Sequence, residues 1–247
     1  MRFSLLGIGG FTLVAALATS LVGLQALADG SLSMLPNVGA SQALTASQRF
    51  SIGGAPPMGG ASSGKGAQSA MHDQSGTLTI TRVANDSARL VASDGLDAFD
   101  QTLHVDARGA VAQPSPANPF IDILDTVAAV LAAAPASPQK GAAWSVNVAA
   151  PSWINNFMNG TLPKSLSSIP VSVSVVSVTS NTFSLHGEGK GEFTMATGMG
   201  NQTNTISVAL DCTLHSSQIK SCSRTSLGLN LGPTNYGFGE TTALAAK

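Results

Sequence analysis

From residue 77 onward the sequence alternates. In "TFSLHGEGKGEFTMA", Thr182 to Ala196, the odd positions read Phe183, Leu185, Gly187, Gly189, Gly191, Phe193 and Met195. The even positions read Ser184, His186, Glu188, Lys190, Glu192 and Thr194. A period of two places one set on each face of an extended strand. A helix would mix the two sets around its circumference, so the stretch predicts a strand with an apolar inner face and a charged outer one.

The same period recurs in short segments separated by turn residues. Thr77–Arg82 and Ala88–Ala92 flank Asn85-Asp86-Ser87, and Gln101–Asp106 and Ala110–Ala112 flank Arg108-Gly109. Trp144–Ala149, Val171–Thr179, Asn181–Ala196, Thr203–Thr213 and Ile219–Leu229 follow. Sequential hairpins of this kind predict a mainly β, antiparallel meander, a curved sheet or half-barrel of about nine strands.

One helix is expected among them, over 119–131 and extending to 134 at most. Asn118 suits the N-cap and Pro119 the first helical position. Phe120, Ile121, Ile123, Leu124, Val127, Ala128, Val130 and Leu131 then leave only Asp122, Asp125 and Thr126 polar. Pro135 and Pro138 stop it. So wide an apolar face calls for burial against the sheet. A membrane-surface helix would carry Lys or Arg on its polar strip, and none is present.

The chain opens with one basic residue, Arg2, an apolar run, and Ala26-Leu27-Ala28. This is the pattern of a secretory signal peptide over 1–28, cut after Ala28. It predicts an exported protein, periplasmic or extracellular, with no stable membrane span once the signal is removed. Residues 29–76 are rich in Gly, Ser, Pro and Ala and read as a tether, with one strand conceivable at 43–52. The expected β-rich domain covers 77–232, with a tail over 233–247.

Within the tether, Gly59 to Gly66 approaches a phosphate-binding loop but lacks the final hydroxyl, and Gly60-Ala61-Ser62-Ser63-Gly64 imitates a nucleophile elbow. Neither has the strand before it and the helix after it that such motifs need.

The only two cysteines, Cys212 and Cys222, sit either side of TLHSSQIKS. In an oxidising compartment two cysteines read as a disulfide. A hairpin turning near Ser217 places them opposite each other. A redox centre would want C-x-x-C, and a zinc site with His215 lacks a fourth ligand. One detail resists: Ile206, Val208, Leu210, Cys212 and Leu214 share parity, whereas Ile219, Leu227 and Leu229 are odd and Cys222 is even. Either a bulge shifts the register or the second strand is a weakly buried edge; its Ser and Thr residues favour the edge.

Catalytic signatures are thin. His104-Val105-Asp106 and His186-Gly187-Glu188 each project a histidine and a carboxylate on one strand face. As neighbours, His104, Asp106, His186 and Glu188 would assemble a metal site. Both pairs fall on the face assigned to solvent, so they read as solvated charge, and no metal or cofactor is expected. Charged residues make up 10% of the chain and the formal net charge is −1. With no basic patch, nucleic acid is not an expected partner.

Gly187, Gly189 and Gly191 strip the inner face of side chains at three successive inward positions. That trough, bounded by Phe183, Leu185, Phe193 and Met195, predicts either close docking of the helix or a ligand cavity.

The hairpins over 77–229, the Gly141–Trp144 strand entry and the lone apolar helix resemble exported bacterial β domains of uncharacterised function. In architecture the chain is similar to the periplasmic lipoprotein carriers, whose curved antiparallel sheet wraps an apolar cavity closed by helices. The resemblance implies a non-enzymatic domain whose partner is an apolar small molecule or lipid. A structural or envelope-interaction protein without a ligand is the alternative, and a hydrolase of unrecognised type the third.

Overall fold

The computed structural model describes residues 34–54, 69–105, 118–135, 138–157, 168–179, 182–197, 200–215, 218–231 and 236–247. The expected signal peptide, the two decoy motifs and the short strand at 110–112 lie outside these residues.

Ten strands form one unclosed antiparallel sheet. In chain order they are β1 (Ser41–Gly54), β2 (Ser69–Ala84), β3 (Ser87–Ser93), β4 (Phe99–His104), β5 (Ala143–Ala149), β6 (Ser168–Val178), β7 (Thr182–Thr197), β8 (Gly200–His215), β9 (Gln218–Leu231) and β10 (Tyr236–Ala246). Two helices, α1 (Pro119–Ala132) and α2 (Ser152–Phe157), stand either side of β5. The strand order is β4-β3-β2-β1-β10-β9-β8-β7-β6-β5. Neighbours in space are therefore neighbours in sequence everywhere except where β1 pairs with β10.

That pairing corrects two expected boundaries. The sheet begins at Ser41, well inside the expected tether, and ends in β10, inside the expected tail. Leu44 and Ala46 of β1 and Leu244 of β10 are buried, and the register runs from Leu44 opposite Ala246 to Gly54 opposite Tyr236. The strand conceivable at 43–52 is β1, whereas β10 escaped notice because its inward positions are not uniformly apolar: it turns Glu240 and Thr242 into the interior. Alternation shows only when the buried set is apolar.

The expected helix forms. The Asn118 side chain accepts hydrogen bonds from the Phe120 and Ile121 N–H groups at 2.9 and 3.4 Å, and Pro119 occupies the first turn. Ile121, Ile123, Leu124, Val127 and Val130 are buried, each contributing about 1.5–3 kcal/mol of transfer free energy. The helix also spans the seam the sheet leaves open. Phe120 stacks on Phe99 of edge strand β4, with ring centroids 6.2 Å apart. The Trp144 indole N–H of edge strand β5 donates to the Val130 carbonyl at 3.2 Å.

Cys212 and Cys222 are directly paired across β8 and β9, Cα–Cα 4.1 Å, both buried, at disulfide distance. The parity conflict is resolved by a bulge: the register shifts between Thr213 and Leu214, so Leu214 opposes Ile219 while Cys212 opposes Cys222. The edge reading is overturned, since β9 lies between β8 and β10. Its inward residues after Cys222 are Arg224 and Ser226, polar because of what they face.

Closing so short a loop is worth about 2.5–3 kcal/mol on the chain-entropy account. The pair Cys212→Ser and Cys222→Ser is expected to lower stability in urea by that amount at most and to leave the far-ultraviolet circular dichroism unchanged. Maleimide labelling of the denatured wild type should find no thiol; two labels per chain would refute the cross-link.

Candidate functional site

The glycine trough faces the inner side of the sheet, with Phe183, Leu185 and Phe193 buried around it; the Met195 side chain lies outside the described residues. The groups nearest the bare positions belong mostly to strand β6. A Cβ on Gly187 would meet Val171 at 3.2 Å and Val173 at 3.6 Å, and one on Gly191 would meet Ile169 at 3.2 Å. A Cβ on Gly189 would collide with the Pro170 carbonyl and with Val171 at 2.7 Å. Strand β6 leans over β7 at this point, and glycine is what lets it approach.

The outer side of the same stretch carries a concavity of 610 Å³. Ser145, Ser172, Glu188, Lys190, Ser207 and Thr225, one or two from each of β5 to β9, line it. Ser145 opposes Ser172, Ser172 opposes Glu188, Glu188 opposes Ala209 and Ala209 opposes Thr225. A row of small side chains is thus walled by one carboxylate and one ammonium. Leu227, one of the few exposed large apolar residues among those described, closes the far end.

The four candidate metal ligands are not brought together. His104 is on β4 and His186 on β7, with six strands between them, and Asp106 lies outside the described residues. His186 instead bonds Asp211 through Nδ1 at 2.7 Å and approaches Glu188 through Nε2 at 3.3 Å. The hydrogen bond to Asp211, aided by the weaker one to Glu188, raises its pKa. No metal-holding group of three or more His, Cys, Asp or Glu occurs among the described residues.

A second cluster, which the sequence reading missed, lies inside. Arg224 of β9 is 3% exposed, and its Nη1 stands 3.3 Å from Oδ2 of Asp122 in the first turn of α1. The same Oδ2 accepts the Ser152 N–H at 2.7 Å, tying down the start of α2. Glu240 of β10, also 3% exposed, accepts from Gln48 of β1 at 3.0 Å. Above the charges, the Trp153 indole N–H donates to the Ser226 hydroxyl at 2.8 Å, and its ring packs edge-on to Phe50 at 6.1 Å and tilted to Phe238 at 6.4 Å. One signal for this cluster was present: once Cys222 points inward, alternation turns Arg224 and Ser226 inward too.

Two carboxylates near one guanidinium cannot both be ionised at low cost. Burial first, then the nearby Asp122 charge, push Glu240 up to about 7, against the opposing pull of Arg224 and Gln48.

No protein-family model matches the chain, and no curated protein matches it in sequence. Among solved structures it is similar to Ail, the attachment invasion locus protein of Yersinia pestis, at 7% identity over 84% of this chain and 97% of that one, TM-score 0.18. It is likewise similar to the same protein in complex with the heparin analogue sucrose octasulfate, at 8% identity over 83% and 96%, TM-score 0.17. The N-terminal β-barrel domain of Pseudomonas aeruginosa OprF gives 7% identity over 83% and 98%, TM-score 0.16. TM-scores this low carry no argument. The faces of the sheet do: a lipid-facing strand turns its apolar residues outward, whereas β7 turns Phe183, Leu185 and Phe193 inward and sends His186, Glu188, Lys190 and Glu192 out.

Two outcomes are expected. Gly189→Ala should destabilise by about 1–3 kcal/mol, the usual cost of overpacking, read as a fall in urea midpoint at constant slope; an unchanged midpoint would show that β6 gives way freely. Glu240, whose folded pKa lies above its ordinary 4.5, contributes stability that is fully present below pH 4.5 and lost as pH rises through 7. Glu240→Gln should therefore gain on the wild type by about 3 kcal/mol between pH 4.5 and 8. Parallel unfolding curves at both pH values would contradict this.

Proposed function

We propose that this chain is an exported, non-enzymatic β domain of the cell envelope that works through its outer face, binding a polar, hydroxyl- and amide-bearing envelope polymer in the concavity over β5–β9. The observation that carries this reading is the division of the two faces: the chain's own helix α1 covers the inner face, while the concavity described above is on the outer one. Serine and threonine hydroxyls both donate and accept, which suits a ligand rich in the same groups. Glu188 and Lys190 fix orientation with one charge of each sign. A disulfide between the only two cysteines fits an oxidising, exported setting.

A second reading follows from the seam. Because α1, rather than hydrogen-bonded strands, covers the gap between β4 and β5, an apolar ligand able to displace it would meet the apolar interior of the sheet. That is the carrier function implied by the resemblance to lipoprotein carriers.

Co-sedimentation with purified peptidoglycan, alongside titration with a fluorescent fatty acid, separates the two. The outer-face reading expects glycan binding that Lys190→Glu together with Ser172→Leu reduces at least tenfold, with no uptake of the apolar probe. Probe uptake without glycan binding would favour the carrier. Glycan binding that survives both outer-face substitutions would remove the concavity from the account.

A further inference from the structure

We propose that Asp122, Arg224 and Glu240 form a pH-operated latch, which holds α2 and the first turn of α1 against β9 and β10 in a mildly acidic medium and releases them in a mildly alkaline one. The inference is independent of the outer-face reading.

Asp122 is the joint of the device. One carboxylate oxygen, Oδ2, receives both the Arg224 guanidinium and the Ser152 N–H. It thereby links α1, α2 and β9 at a single atom. The short helix α2 in turn carries Trp153, which caps the interior against Phe50, Phe238 and Ser226. Among the described residues, loosening Asp122 removes the polar tie at the start of α2 and leaves buried Ile154 and the Trp153 contacts to hold it.

Glu240 supplies the control. Its cross-strand neighbours are Phe50 on β1 and Ser226 on β9. The groups that face it are Gln48 from β1, Arg224 from β9 and Asp122 from α1. With Glu240 protonated, the interior holds one positive and one negative charge in balance. When its proton leaves to solvent, two carboxylates compete for one guanidinium, and a net negative charge remains where water does not reach. That charge is relieved by drawing Arg224 toward Glu240 and letting water in at Asp122. Arg224 has a donor to offer Glu240, because its buried Nε has no hydrogen-bond partner among the described residues. Burial and Asp122 together place the Glu240 transition near pH 7.

Trp153 reports the state of the latch. In the full, oxidised chain bearing Trp144→Phe, so that Trp153 is the sole indole, emission is followed from pH 5 to pH 9. The expected result is a shift to longer wavelength with a midpoint near neutrality, as the ring leaves Ser226 and the phenylalanines for water. Glu240→Gln, which keeps the shape of the protonated acid, should hold the short-wavelength emission throughout. Gln48→Leu removes a hydrogen bond to the ionised carboxylate and should move the midpoint upward; it carries the test if the first variant does not fold. No shift in the parent overturns the proposal. So does a shift with the same midpoint in Glu240→Gln, which would trace the change to the exposed histidines, or an unmoved midpoint in Gln48→Leu.

Discussion

The pairing of β1 with β10 is the constraint on which the rest of the molecule depends. Every other strand contact joins consecutive strands, which hairpins can make locally. Only this pairing brings distant segments together, and it fixes which strands are left at the edges. Because β1 and β10 occupy the middle of the sheet, the unpaired edges fall to β4 and β5. The connection between those two strands contains α1, so the helix lies across the seam that the topology creates. Edge strands expose unpaired backbone groups and invite association; here Phe120 on Phe99 and Trp144 on Val130 bind each edge to the same helix.

The central strands also carry the interior's polar content. Arg224 and Ser226 on β9, Glu240 and Thr242 on β10 and Gln42 on β1 form a buried hydrophilic band inside an otherwise apolar sheet, with half-buried Gln48 of β1 bonded to Glu240. A buried ion pair adds little stability over apolar packing of the same volume, yet losing one partner is costly. Such an arrangement constrains geometry more than it strengthens the fold. It ties the first turn of α1 and the start of α2 to β9.

The sequence disclosed the parts in which burial and apolarity coincide. Strands β6 to β8 were legible from Val171, Val173, Leu185, Ile206, Val208 and Leu210, which alternate without interruption, and α1 from its cap and its apolar face. Strand β1 was legible only in outline, as a segment at 43–52, and β10 not at all, because Glu240 and Thr242 place polar side chains at inward positions. The same blindness hid the interior cluster: its members are charged, and a charged residue in one sequence reads as exposed until a partner is known. The trough was located but its occupant was not, since a glycine shows that something comes close without showing what. Here the nearest groups come mostly from the adjacent strand. The disulfide parity was the one conflict visible in advance, and the bulge that resolves it is a backbone feature with no residue signature of its own.

A sheet whose described first and last strands pair in its middle has a particular history during synthesis. While β10 is still to emerge, β1 and β9 are open edges in the middle of the future sheet, each bearing half of the hydrophilic band without its complement. Nothing local rewards their meeting, and contacts of such long sequence separation form slowly. The hairpins β2–β3–β4 and β6–β7–β8 can assemble early, but the interior stays unsealed until the final strand arrives. Glu240 and Arg224 therefore meet last. A chain interrupted short of residue 236 would keep most of its hairpins and leave β1 and β9 as two bare edges in the middle of the sheet, the kind of edge that invites association.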